Sequence, residues 1–183
     1  MPPERTPNRY QLPLISMVGA MIVVLAFISV GRIWRAVNHS DRATTQPTVD
    51  YSGWVRSAKQ DGRLQVLVPS VVPSGWRATS ASYDSGVVPH WHLGMLIEDK
   101  TYVGLDESLS PMDDMVSKYL SKGAKRGEVV TVRGQKWQSW TDTQGDYVLA
   151  RSFAAPKGKL PEQILVGGSA TPAQVRSYVA SLR

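Results

Sequence analysis

From Trp76 onward short apolar-rich runs alternate with turn residues. That punctuation is the signal of antiparallel strands. The runs are Arg77 to Tyr83, Trp91 to Ile97, Tyr102 to Glu107, Glu128 to Val132, Gln135 to Thr141, Tyr147 to Ala154 and Gln163 to Gly167. Turns are expected at Glu98-Asp99-Lys100, Arg133-Gly134 and Thr143 to Asp146.

Three segments carry helical spacing instead. Val49 to Lys59 places Val49, Trp54, Val55 and Ala58 roughly on one face, and Gly62 breaks it. Met112 to Leu120 repeats apolar residues at Met112, Met115, Val116, Tyr119 and Leu120, with Ser110 as the expected cap before Pro111. Thr171-Pro172 opens a last helix with Val175, Tyr178, Val179 and Leu182 on one face. Strands and helices come in runs and do not strictly alternate. The expected class is α+β, a mostly antiparallel sheet with two or three packed helices.

Ahead of this domain lies a different pattern. Leu12 to Val30 is one unbroken apolar run, with no charged side chain between Arg9 and Arg32. About 18 apolar residues suffice for a helix to cross the hydrocarbon core. The run is too long for a signal-peptide core and leads straight into arginine, so a retained anchor is expected. The organisation reads as a tail at 1–11, a transmembrane helix at 12–34, a linker at 35–48 and a domain at 49–183. Arginines flank both ends, so charge alone barely orients the span. The form of a signal-anchor places the domain outside the cytoplasm, as a single-pass protein of the cell membrane.

Charge and composition then narrow the function. The net charge is +6, and the first 49 residues hold five basic and two acidic residues, hence half of the excess. Those arginines suit anionic head groups, so a basic pI is poor evidence for nucleic acid, and no such partner is expected. The chain has no cysteine, which excludes disulfides, thiolate metal sites, a cysteine nucleophile and lipid attachment at cysteine. No nucleotide loop or serine-nucleophile motif stands in a supporting context.

Four features could carry chemistry. His90-Trp91-His92 would place two imidazoles on one face of a strand, as metal ligands with Asp84, Glu98 or Asp106 as candidate third ligands, or as residues that face solvent or pair across the sheet while Trp91 packs inward. Two ligands do not make a zinc site, so no metal or cofactor is expected. The carboxylates Asp106-Glu107 and Asp113-Asp114 could split their pKa values, although the latter pair suits a helix's first turn. Lys118, Lys122, Lys125 and Arg126 form a basic run at the end of the middle helix. Trp137 and Trp140 lie three apart and so face opposite sides of a strand, which leaves one of them for the surface as a contact residue.

The stretches Pro73-Ser74-Gly75-Trp76-Arg77-Ala78-Thr79-Ser80, Trp91-His92-Leu93-Gly94-Met95 and Tyr102-Val103-Gly104-Leu105-Asp106-Glu107-Ser108 resemble an uncharacterised actinobacterial family of single-pass membrane proteins, catalogued as a domain of unknown function. The resemblance implies a cell-envelope location and no activity. The order of elements is loosely similar to a PsbP/Mog1-like architecture. The function expected is a membrane-anchored, extracytoplasmic, non-enzymatic module that contacts an envelope protein through Trp137, Trp140, His90 or His92. The alternatives are a carrier of a small lipid or wall-precursor ligand, and a metal-dependent hydrolase using His90 and His92.

Overall fold

The computed structural model describes residues 47–183 other than Lys122 and Pro156. The expected span from Leu12 to Val30 lies outside the described residues. Among those described, no helix is long and apolar enough to cross a membrane.

Seven strands form one sheet. They are β1 (Trp76–Asp84), β2 (His90–Ile97), β3 (Thr101–Ser108), β4 (Lys125–Val132), β5 (Gln135–Thr141), β6 (Tyr147–Ser152) and β7 (Gln163–Gly168). The order across the sheet is β1-β2-β3-β7-β6-β5-β4, and every neighbouring pair is antiparallel. Two meanders, β1 to β3 and β4 to β7, are thus joined along β3 and β7. The helices are α1 (Ser52–Asp61), α2 (Met112–Tyr119) and α3 (Pro172–Ser181). The fold is α+β, as the patterning predicts.

Register decides what each face buries. On one face Trp91, Leu93 and Met95 of β2 lie opposite Glu107, Leu105 and Val103 of β3. The main core forms there, with Leu149, Ile164, Val166 and Trp137, against Ala58 of α1 and Val175, Tyr178 and Val179 of α3. On the other face a smaller cluster joins Met115, Val116 and Leu120 to Val148 and Leu165. So α1 and α3 cover one face and α2 the other.

Local chemistry sets the element ends. Gly62 ends α1 in the left-handed conformation, its N–H donating to Ala58 O. Thr171 and Gln174 form a capping box at α3. At α2 the expectation is corrected: Pro111 is the N-cap, with no side-chain cap bond, because Ser110 is engaged with the Ser108 hydroxyl. Asp113 and Asp114 fill the first turn of α2, exposed, where their charge meets the helix dipole favourably. The basic run is also redistributed. Only Lys118 belongs to the end of α2, while Lys125 and Arg126 open β4, three residues earlier than Glu128 suggested. The reason is a bulge between Arg126 and Val129, which breaks the alternation at Gly127 and Glu128.

Candidate functional site

Alternation sends successive residues of β3 to opposite faces, so Asp106 and Glu107 enter different environments. Both are fully buried. An uncompensated carboxylate in such a place is costly, so its partners define the site.

Asp106 sits on the α2 side, directly across from His92. Its Oδ1 is 2.9 Å from His90 Nε2 and 2.9 Å from His92 Nδ1, so both imidazoles donate to one carboxylate oxygen. The far nitrogen of His92, Nε2, lies 2.9 Å from Ser80 Oγ on β1 and 3.3 Å from the Tyr102 hydroxyl on β3. Tyr119 of α2 also turns its hydroxyl to Asp106. Asp106 Oδ2 is buried and receives no hydrogen bond at standard geometry.

Burial opposes charge on all these groups, and the neighbours decide the outcome. For Asp106, burial pushes the carboxyl upward, but the charge of His92 and the hydrogen bonds of both histidines hold it well below the ordinary carboxylate range. For His92, burial favours the neutral ring, yet the Asp106 charge and hydrogen bond outweigh it and raise its pKa. Tyr102 and Tyr119 are driven upward, first by burial and then by the Asp106 charge, so both stay phenols. The site therefore holds a buried imidazolium–carboxylate pair below the raised pKa of His92.

A floor of small residues lets the cluster lie flat. Gly94, Gly104 and Gly167 are neighbours across β2, β3 and β7. A Cβ at Gly94 would overlap Ser80 Oγ and the Tyr102 hydroxyl. The tyrosine ring thus packs over glycine, as an aromatic commonly does where a strand lacks a side chain.

Serine, histidine and aspartate follow one another in the order used for nucleophilic catalysis, and the hydrogen bonds between them are short enough. Acyl transfer also needs room for a carbonyl beside the nucleophile and donors for its oxyanion. Here Ser80 Oγ lies on the Gly94 floor beside Tyr102, so the hydroxyls satisfy His92. As metal ligands the histidines are occupied: His92 uses both nitrogens and His90 its Nε2. Among the described residues no group of three His, Asp or Glu is arranged to hold a metal ion.

The second carboxylate faces the main core. Glu107 Oε2 accepts the Val66 N–H at 2.9 Å and Oε1 the Leu67 N–H at 2.6 Å. Two consecutive amides wrap one carboxyl group because Val66 takes a left-handed backbone, φ 58°, rare for a β-branched residue. Glu162 Oε1 accepts the Gln65 N–H at 3.0 Å, and Glu162 also hydrogen-bonds Glu107. Burial first, and then the neighbouring carboxyl, push Glu107 up to about 9. At neutral pH Glu107 keeps its proton, and the two side chains pin the Gln65 to Leu67 segment. That segment continues into paired hydrogen bonds between Val68 and Arg183, at the end of the chain.

Among the residues expected to matter, Trp91 packs inward and its indole N–H donates to Leu67 O at 3.1 Å. His90 and His92 share a face, and of the candidate third ligands only Asp106 joins both imidazoles. Trp137 and Trp140 do face opposite sides, but neither lies open. Trp137 is in the main core, beneath the Arg151 guanidinium at 5.9 Å, and Trp140 packs against the α2 cluster. Trp137 is buried and Trp140 half-buried, so neither ring stands fully open. Ser80, Tyr102, Tyr119 and Glu162 were missed by sequence reasoning.

No match is found among curated proteins. Among solved structures, the chain is similar to one in the Pseudomonas aeruginosa MucA/MucB complex, at 13% identity and a TM-score of 0.36. The match covers 64% of this chain and 34% of that one, an overlap too loose to carry an argument. A family model matches residues 9–182, so the chain belongs to the family described as protein of unknown function DUF4245.

Proposed function

We propose that the protein is a membrane-tethered module of the cell envelope, of actinobacterial type. In this reading its domain binds a partner protein outside the cytoplasm and performs no chemistry of its own. The observation that carries this is the uncharged apolar run from Leu12 to Val30 ahead of a domain with its own core. The site's chemistry supports the second half of the reading. Both ring nitrogens of His92 are taken up by Asp106, Ser80 and Tyr102, as in buried polar networks that fix a fold. A sheet covered by helices on both faces also keeps the likeness to a PsbP/Mog1-like architecture within this proposal.

The test has two parts. The full chain should stay with membranes after alkaline extraction, and a reporter active only outside the cytoplasm should work when fused at the C-terminus. Affinity purification in mild detergent should then recover a partner protein in stoichiometric amount. A chain extracted as a soluble species, a silent reporter or recovery of the chain alone would each overturn the proposal.

A further inference from the structure

Strand β4 closes one side of the sheet and, among the described residues, pairs with β5 alone. Its residues from Lys125 to Val129 are all exposed. A strand in that position presents unpaired backbone donors and acceptors, a template for another extended chain.

The ground beside this edge is electrostatically one-sided. An open trough of about 560 Å³ runs along β4, β5 and β6. Its lining includes the cations Arg126 and Lys136 and no acidic residue, while Arg151 borders it with a guanidinium turned to Trp137 and Phe153 on the other face. Register places its main features on one face: Arg126 lies opposite Trp140, Val129 opposite Gln138, and Thr131 opposite Lys136. These positions share the α2 side of the sheet. Val129 is 57% exposed, which adds an apolar contact between the cations.

We propose that the β4 edge and its trough take up an extended acidic peptide segment of a partner protein, added to the sheet as a further strand. This rests on the reading of the chain as a partner-binding module and names the chemistry of the partner. Alternate side chains of an added strand fall on one face, roughly 7 Å apart. Arg126 and Lys136 stand two such steps apart in the register, roughly 14 Å, so acidic side chains four residues apart meet both while the backbone pairs with β4. An anionic head group would meet the cations but leave the backbone groups of β4 unpaired, so the edge favours a peptide. The same features select against the wrong strand. Lys125, Arg126 and the bulge repel a second copy of this edge, whereas an acidic strand neutralises them.

The experiment selects random ten-residue displayed peptides against the full chain in detergent. A parallel selection uses the Arg126→Glu, Lys136→Glu double variant, with its thermal melt checked against the parent. Both positions are exposed, so the melt should be unchanged. The expected result is enrichment of peptides with acidic residues four apart. When synthesised, these should bind the parent at least about tenfold more tightly than the variant and weaken as salt rises. No enrichment, enrichment without acidic residues, or binding that survives charge reversal would overturn the proposal. So would anionic vesicles binding the parent with the same dependence on Arg126 and Lys136 while no peptide binds. If affinity purification yields a partner that the double variant also retains, this proposal falls and the binding-module reading stands. If acidic peptides are selected but no partner is recovered from cells, the reverse holds.

Discussion

Replacing Asp106 with asparagine keeps the shape of the side chain and removes its charge. In the parent, one carboxylate oxygen takes hydrogen bonds from both His90 and His92, 2.9 Å each, in a fully buried position. Asparagine can set its oxygen where both imidazoles donate and its N–H₂ at the Oδ2 position, so what it removes is the negative charge facing the His92 imidazolium. Removing one partner of a buried pair costs about 3–5 kcal/mol. His92 can limit the loss by shedding its proton, so the low end applies, about 3 kcal/mol, or roughly 10 °C in Tm for a domain of this size. The sign with pH follows from both groups. The raised pKa of His92 means its stabilisation is complete below the ordinary imidazole value, about 6.5, and fades as pH rises through the raised one. The depressed pKa of Asp106 means its stabilisation is present above the ordinary carboxylate value, about 3.9, and is lost as pH falls through the depressed one. The gap between parent and Asp106→Asn should therefore be widest at mildly acidic pH and narrow toward alkaline pH. Denaturant titrations of the full chain from pH 5 to pH 9, followed by tryptophan fluorescence, measure it. A gap below about 1 kcal/mol, or one constant across that range, would refute a charged pair at this site.

Glu107 is an acid raised to about 9, so the folded chain keeps a proton that the unfolded chain releases above about 4.3, and stability should fall across that interval. Glu162→Gln, whose amide can donate to an ionised Glu107, should flatten this slope and add about 1–2 kcal/mol at pH 8 by urea titration. Gly94→Ala pushes a methyl into Ser80 and Tyr102 and should cost about 1–3 kcal/mol, with a histidine NMR spectrum that shows the His92 environment changed. Trp137→Ala should destabilise the fold by about 3–5 kcal/mol, seen as a lower Tm, because this residue fills the core. Treatment with EDTA should leave Tm within about 1 °C of the parent, since the imidazole nitrogens that face inward are already hydrogen-bonded.

Much of the fold is written locally. Short runs bounded by turn residues mark all seven strands, and helical spacing marks all three helices. The Glu98-Asp99 turn is legible too, both residues taking positive φ as a tight hairpin needs. The site depends on one further step. Pairing Ile97 with Thr101 across that turn sets His92 opposite Asp106, whereas starting the strand at Tyr102 leaves the partner of Asp106 open by one position. A slip of one residue inverts the faces, so the cluster is hidden from any reading that leaves the turn length loose. The contributions of Ser80, Glu162 and Tyr119 come from β1, from the residue before β7 and from α2. Only tertiary pairing brings them in, and no local pattern announces it. The same holds for Leu64 to Val68, an apolar run that forms no strand because Glu107 captures its amides.

The neighbours Asp106 and Glu107 give β3 a two-sided key. One carboxylate fits only a lock made of imidazoles, the other only a cradle of consecutive amides. Sliding β3 by a single position would turn each acid to the opposite face, away from the partners that its own face supplies. Any misaligned sheet is thereby penalised twice at one dipeptide, so a chain with interchangeable greasy strands still has a single alignment in which its middle strand can rest.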